Sequence, residues 1–317
     1  MWDLAVREDD YDAVDQMLAR YAGAPLSMRI VPAYARRDTV AIVRLREEAR
    51  NLDARQSQIA AKYLATYLHD FESARELARL DLAPRRNAAI RLGAQTWLAW
   101  LEVGQNRWPS ANAAFAEAER MEGGGGVRAE RALAATLPFI DVPRSDVEAI
   151  RRDMEAWSPA SETSPAPGLA SALRPHLRLY LLSLLSSRLG DTSRALRHAR
   201  ELERLPQPPQ SAPVIGGLVA TAKADVASRA GRHADVVALL GPANGEVSLE
   251  LVFVKPFVSA RPFTQEHARY LRAEALSALG RTDEALRWIE NAFQGSPLEL
   301  AYRPYVTARR AAWGRSP

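Results

Sequence analysis

The stretch Arg269–Pro297, RYLRAEALSALGRTDEALRWIENAFQGSP, constrains the fold more tightly than any other part of the sequence. It reads as two short amphipathic helices joined by a turn at Gly280-Arg281-Thr282-Asp283. Ala273, Leu276 and Leu279 fall on one face of the first helix; Ala285, Leu286, Ile289 and Ala292 fall on one face of the second. Apolar positions at a 3.6-residue period mark a helix with one buried stripe. Ala273 and Ala285 sit where two antiparallel helices must approach closely, and a larger side chain there would overpack by about 1–3 kcal/mol. Gly280 suits the end of the first helix, where other residues are strained. Thr282 or Asp283 can accept the free N–H groups of the next helix, and Pro297 stops it.

Composition points the same way. Ala, Leu, Arg and Glu dominate and β-branched and aromatic residues are sparse, which favours helix almost everywhere. The formal net charge is only +4, and Lys62, Lys223 and Lys255 are the only lysines, so the basic balance comes from arginine. That bias fits a GC-rich genome better than a nucleic-acid surface. Cysteine is absent, which excludes disulfides and thiol chemistry in this sequence. The opening MWDLAVREDDYDAV is acidic and lacks the apolar core of a signal peptide. The apolar run Leu179–Leu185 is far short of the roughly 20 residues that span a bilayer. The expectation is a cytoplasmic protein with no membrane contact.

Taken in order, Asp3 to Asp81 predicts three helical pairs, with stripes at Tyr11, Val14, Met17 and Leu18, at Val40, Val43, Leu45 and Leu52, and at Phe71, Ala74, Leu77 and Ala78. Asp38-Thr39 and His69-Asp70 carry the turn and cap signals. The first helix begins at Met1 without a cap, so the array is expected to be a piece of something longer. Ala94, Trp97, Leu98 and Leu101 run to Gly104, and Ala111, Ala114, Phe115 and Ala118 follow; Trp97, Trp100 and Trp108 read as core packing rather than a ligand box. Gly123–Gly126 lacks the Lys-Ser or Lys-Thr of a phosphate loop and reads as a turn. Ser145 with Glu148 forms a capping box for the helix to Trp157. Ser158–Gly168, SPASETSPAPG, has linker composition. The chain is therefore expected to divide into 1–157, a linker 158–168, and 169–317. Beyond it, Gly190, Gly231 and Gly280 end successive first helices. Leu249–Val254 reads as helix or extended linker, and Leu300–Trp313 as one more first helix without a mate.

Catalytic motifs are missing. No HExxH, GxSxG or Walker pattern occurs. His69, His176, His198, His233 and His267 lack metal-ligand spacing and read as surface or turn residues. No metal, cofactor or catalytic residue is expected. Acidic residues alternate with Arg, as in Arg200-Glu201 and Glu203-Arg204, which describes a solvated helix face. Ser161-Glu162-Thr163-Ser164 could accept phosphate but also suits a plain spacer.

In order and spacing the hairpin pattern resembles the tetratricopeptide repeat, a helix–turn–helix unit of about 34 residues used for protein recognition. The resemblance implies an all-α fold, a right-handed α–α superhelix of about six to eight antiparallel helix pairs. It also implies a non-enzymatic scaffold that takes a protein or peptide in its concave groove, lined by the first helix of each pair. Registering the units by their turn glycines then places Tyr180, Ser187 and Arg188 on that surface, with Thr221, Asp225, Ser228 and Arg229 in the second unit. His267, Tyr270, Glu274 and Ser277 follow in the third. Arg188 and Arg229 occupy equivalent positions and could take a partner's carboxylates bidentately; pairing with nearby acids is the plainer reading. Leu173–Leu205, Tyr270–Trp288 and Ala33–Leu52 are also similar to the repeat regions of bacterial kinase and DNA-binding regulators. That likeness implies, as an alternative, a sensor or docking half of a signalling protein.

Overall fold

One backbone turn recurs along the chain and sets its organisation. Asp9, Arg37, His69, Asn106, Gly190, Gly231 and Gly280 all have φ between 54° and 81°, and each stands two residues before the first residue of the next helix. After six of them the next N–H bonds a carbonyl five residues back: Asp10 to Ala5, Asp38 to Ala33, Arg107 to Glu102, Asp191 to Ser186, Arg232 to Ala227 and Arg281 to Leu276, all at 2.9 Å. This is the Schellman closure, which satisfies the orphan carbonyls of the first helix. Asp10, Asp70 and Asp191 then cap the second helix by accepting from Ala13, Ser73 and Arg194. After six of the seven, the residue five places beyond the left-handed one is buried and small or β-branched: Val14, Ala74, Ala111, Ala195, Val236 and Ala285 are each fully enclosed, while Ile42 is partly buried.

The computed structural model describes residues 2–21, 23–51, 54–121, 126–159, 172–208, 211–241, 266–290 and 298–314, and every regular element among them is a helix. The protein is all-α and repeat-like. None of the described helices is long and apolar enough to cross a membrane. The chain divides into two compact units, Met1–Gly124 and Gly125–Pro317.

The first unit holds α1 (Trp2–Arg7), α2 (Tyr11–Arg20), α3 (Leu26–Ala35), α4 (Thr39–Asn51), α5 (Ala54–Tyr67), α6 (Phe71–Leu80), α7 (Ala88–Val103) and α8 (Trp108–Arg120). They pack as consecutive hairpins, and the first helices also pack on one another, α3 on α5 and α5 on α7. Trp97, Trp100 and Trp108 are core residues, and Trp100 meets Phe115 edge-on at 5.8 Å. Arg75 is buried and bonds Glu72, Glu102 and Gln105, tying α6 to the end of α7 and the turn after it. On α4 the expected stripe is corrected. Leu45 and Ala49 are buried, whereas Val40 and Val43 are 80% and 68% exposed; the face packed on α3 and α6 is the one four residues apart that contains Ala. Gly104 is likewise not the turn residue. It has φ −60°, and Asn106 takes the left-handed position, so the turn matches the others in length.

The second unit holds α9 (Val127–Thr136), α10 (Arg144–Ala156), α11 (Arg174–Arg188), α12 (Thr192–Arg204), α13 (Ala212–Arg229), α14 (His233–Leu240), α15 (Glu266–Ala278), α16 (Thr282–Glu290) and α17 (Leu298–Trp313). Here α11 packs on α13 and α13 on α15. The division of the chain falls in the glycine run rather than across 158–168, because the helices flanking that segment belong together. Arg178 of α11 donates to the Met154 and Glu155 carbonyls at the end of α10, at 2.9 and 2.7 Å. Residues 160–171 and Leu249–Val254 lie outside the described residues. Helix α10 starts at Arg144, so Ser145 stands inside it and Glu148 bonds Arg144 instead of closing a box. Thr282 and Asp283 similarly lie in the first turn of α16, not before it. Ala273, Leu276, Ala285 and Ile289 are buried as the pattern requires, while Leu279, beside the turn, is exposed.

Because the turn needs φ near +60° and not a particular side chain, non-glycine occupants are strained by about 1 kcal/mol. Arg37→Gly should raise stability by up to about 1 kcal/mol, less the entropy glycine adds to the unfolded chain. Gly280→Val should lower it by about 1–2 kcal/mol. Urea unfolding midpoints of the two variants moving in the same direction would refute this account of the turn.

Candidate functional site

The first helices of the second unit bring chemistry-bearing side chains together because each ends at the same turn. Ser187, Ser228 and Ser277 stand three residues before Gly190, Gly231 and Gly280, and their carbonyls accept the glycine N–H at 2.9 Å. Tyr180, Thr221 and Tyr270 lie ten residues before those glycines, and Asp225 and Glu274 six residues before theirs. Position along α11, α13 and α15 therefore converts sequence register into spatial alignment.

At the centre lies Asp225, 2% exposed. Its Oδ1 is 2.9 Å from His267 Nε2, its Oδ2 accepts from Arg229 Nε at 3.0 Å, and His267 Nδ1 lies 3.4 Å from the Tyr302 hydroxyl. Burial alone would raise the Asp225 carboxyl, but the hydrogen bond and charge of His267 and the charge of Arg229 overcome it and hold the group at about 2. Tyr180 and Tyr302, both buried near this carboxylate, are pushed upward by desolvation and by the charges of Asp225 and Glu266. Burial and the neighbouring Glu274 push Tyr270 up to about 12.

Phe139, on the 137–143 connection between α9 and α10, reaches across to this group. Its ring lies 4.8 Å from Tyr302, 5.4 Å from Tyr305 and 5.9 Å from Tyr270, and Tyr270 is 5.0 Å from Tyr305. Among the described residues that connection joins its two helices without the left-handed turn, and Pro138 and Pro143 bracket it. The Leu137 and Ile140 carbonyls accept from the Ile140 and Val142 N–H groups and also from the Arg188 guanidinium. Burial and the adjacent Arg229 charge lower the Arg188 guanidinium to about 10. Glu274 accepts from Tyr305 and from Arg309, the latter at 2.8–3.0 Å; burial raises its carboxyl against the pull of Arg309.

The sequence-derived residues are thus distributed unevenly. Tyr180, Ser187, Thr221, Asp225 and His267 are buried, and Thr221 spends its hydroxyl on the Gly217 carbonyl at 2.6 Å. Arg188 caps a loop. Ser228, Arg229, Tyr270, Glu274 and Ser277 keep accessible surface. His176 and His267, expected at the surface or in turns, are both buried, since each sits on the packed face of a first helix. Phe139, Tyr302, Tyr305 and Arg309 were not legible from register, because neither the loop nor α17 contains a turn glycine. The spacing of Tyr302, Tyr305 and Arg309 at i, i+3 and i+7 is the signal that places them on one helical face.

In the first unit a cleft of about 440 Å³ lies among Leu18, Tyr21, Pro25, Arg29, Glu48 and Gln56. Its polar groups are engaged with the protein itself: Arg29 with Glu48 and the Ala24 carbonyl, Gln56 with the Leu26 N–H. Among the described residues no group of three or more His, Asp or Glu is arranged to hold a metal ion.

The Asp225 arrangement carries a pH signature. A carboxyl held at about 2, against an ordinary 3.8, means the unfolded chain binds more protons between those values. The stabilisation is fully present above about pH 4 and is lost as the pH falls toward 2, amounting to about 2 kcal/mol. Acid titration of wild type and Asp225→Asn should show the wild-type advantage vanish in that window; an advantage that persists at pH 2 would contradict the assignment.

No protein-family model matches the sequence, and no curated protein or solved structure matches it significantly.

Proposed function

We propose that the protein is a non-enzymatic scaffold of tetratricopeptide-like hairpins, stacked in a right-handed superhelix, that binds a protein or peptide partner. The observation that supports it is the sevenfold recurrence of one turn with first helices packed on first helices. Such stacking presents a row of equivalent positions along one face, the arrangement that helical repeats use to grip extended partners. The partner is received near the ends of those helices, at Ser228, Arg229, Tyr270, Glu274 and Ser277. Tyr180, Ser187, Arg188, Thr221, Asp225 and His267 serve the unit internally, fixing the frame on which the others stand.

The test begins with capture from the source cell by the immobilised chain, followed by reconstitution of the complex from two purified proteins. Hydrogen exchange should then show protection in α13 and α15 on addition of the partner. If no captured protein binds when both components are pure, or if protection falls wholly outside those helices, the scaffold reading is discarded.

A further inference from the structure

The ion pairs of the cluster are oriented: their cations face water and their anions face inward. Arg229 is 34% exposed where its partner Asp225 is 3%, and Arg309 is 41% exposed where Glu274 is 24%. Neither guanidinium is used up. Arg229 commits only Nε, to Asp225, and among the described residues its two Nη groups have no partner. Arg309 commits Nε and Nη2 to Tyr305 and Glu274 and lies over the Tyr305 and Trp313 rings at 5.2 and 5.8 Å, leaving the edge at Nη1. Both guanidiniums act electrostatically on the Tyr270 hydroxyl. The half-buried rings of Phe139, Tyr270 and Tyr305 touch one another at 5.0–5.9 Å and form an apolar platform beside them.

We propose that this face of the 125–317 unit docks an acidic protein segment, one carboxylate taken by Arg229 and a second by Arg309, with an apolar side chain of the segment laid on the Phe139–Tyr270–Tyr305 rings. The geometry favours carboxylates over a nucleic-acid backbone. A phosphate chain needs many cations in a row, whereas here two guanidiniums are offered, each already paired with a carboxylate that repels a dense polyanion. A guanidinium with unused Nη donors accepts a planar carboxylate through parallel hydrogen bonds, and an aromatic platform adds apolar contact without charge. The inference rests on the scaffold reading and names the chemistry of its partner.

The experiment uses the full chain and a short synthetic peptide alternating Glu and Tyr, with a Lys–Tyr peptide and an oligothymidylate as counterparts, followed by fluorescence anisotropy at low and moderate salt. The Glu–Tyr peptide should bind, weaken as salt rises, and lose about tenfold in affinity in each of Arg229→Gln and Arg309→Gln. The Lys–Tyr peptide and the oligothymidylate should not compete. Helical content of both variants is checked by circular dichroism, and should either fail to fold, hydrogen exchange of the wild-type chain with the peptide replaces it, protection being expected in the 137–143 loop, the end of α13, α15 and α17. Absence of binding, equal competition by the oligothymidylate, or protection elsewhere would overturn the proposal. If the acidic peptide fails while a reconstituted partner still protects α13 and α15, the scaffold reading survives and only the acidic preference falls.

Discussion

Asp225→Leu is expected to lower the stability of the chain by about 3 kcal/mol or more, among the largest losses available from one substitution. The carboxylate is enclosed and bonds two nitrogen-bearing side chains of unequal standing. Arg229 can turn its exposed end to water, so its loss of a partner is mild. His267 cannot, because it is 6% exposed and its other nitrogen faces Tyr302. Removing Asp225 therefore leaves a polar imidazole in an apolar pocket, and an unsatisfied buried group costs about 1–3 kcal/mol beyond the lost bond. The double variant Asp225→Leu with His267→Leu should regain part of that loss, since replacing both members spares the orphan. Urea unfolding of the wild type, both single variants and the double variant gives the coupling energy directly. A loss under about 1 kcal/mol for Asp225→Leu, or additive effects of the two changes, would mean the pair does not hold the cluster.

Trp100→Ala is expected to cost about 3–5 kcal/mol. The indole is fully buried on α7 and meets the Phe115 ring of α8 at 89°, so truncation removes both apolar burial and an edge-to-face contact. The buried positions of α7 and α8 include the alanines Ala94, Ala99, Ala111 and Ala118, whose methyl groups cannot swing into a vacated space. A cavity that cannot collapse keeps its full penalty. Calorimetric melting with hydrogen exchange in α7 and α8 checks it. A melting curve within error of wild type, or unchanged exchange in those helices, would show that the hairpin is not held there.

The helical fold was legible because alanine and leucine periodicity, turn glycines and aspartate caps all agree locally. The cluster was legible only where it lay in register with a glycine. Asp225, His267, Tyr270 and Glu274 were found this way, but burial was invisible to the same reasoning. Tyr180 and Asp225 look like groove residues in one dimension and are interior in the fold, Asp225 bonded to a His267 whose other nitrogen meets Tyr302 of α17. The misplacements have the same origin. Gly104 attracted the turn assignment because glycine is the usual occupant, yet Asn106 tolerates the conformation through its short polar side chain. Val40 and Val43 read as core because valine is apolar, while the packed face of α4 is the Leu45–Ala49 line.

The turn has a consequence for how such a chain can change its length. Where it occurs it locks the junction inside the hairpin by main-chain bonds, with aspartate caps added at several. Where hairpins carrying it follow one another, the step from one such turn to the next runs from 28 residues, Asp9 to Arg37, to 49, Gly231 to Gly280. Insertions between hairpins leave every phase relation intact. A single residue inserted within a junction would rotate the following helix by roughly 100° and turn its apolar stripe outward. Foreign sequence, whether a tag, a reporter or a whole module, is therefore best spliced after a second helix and never before one.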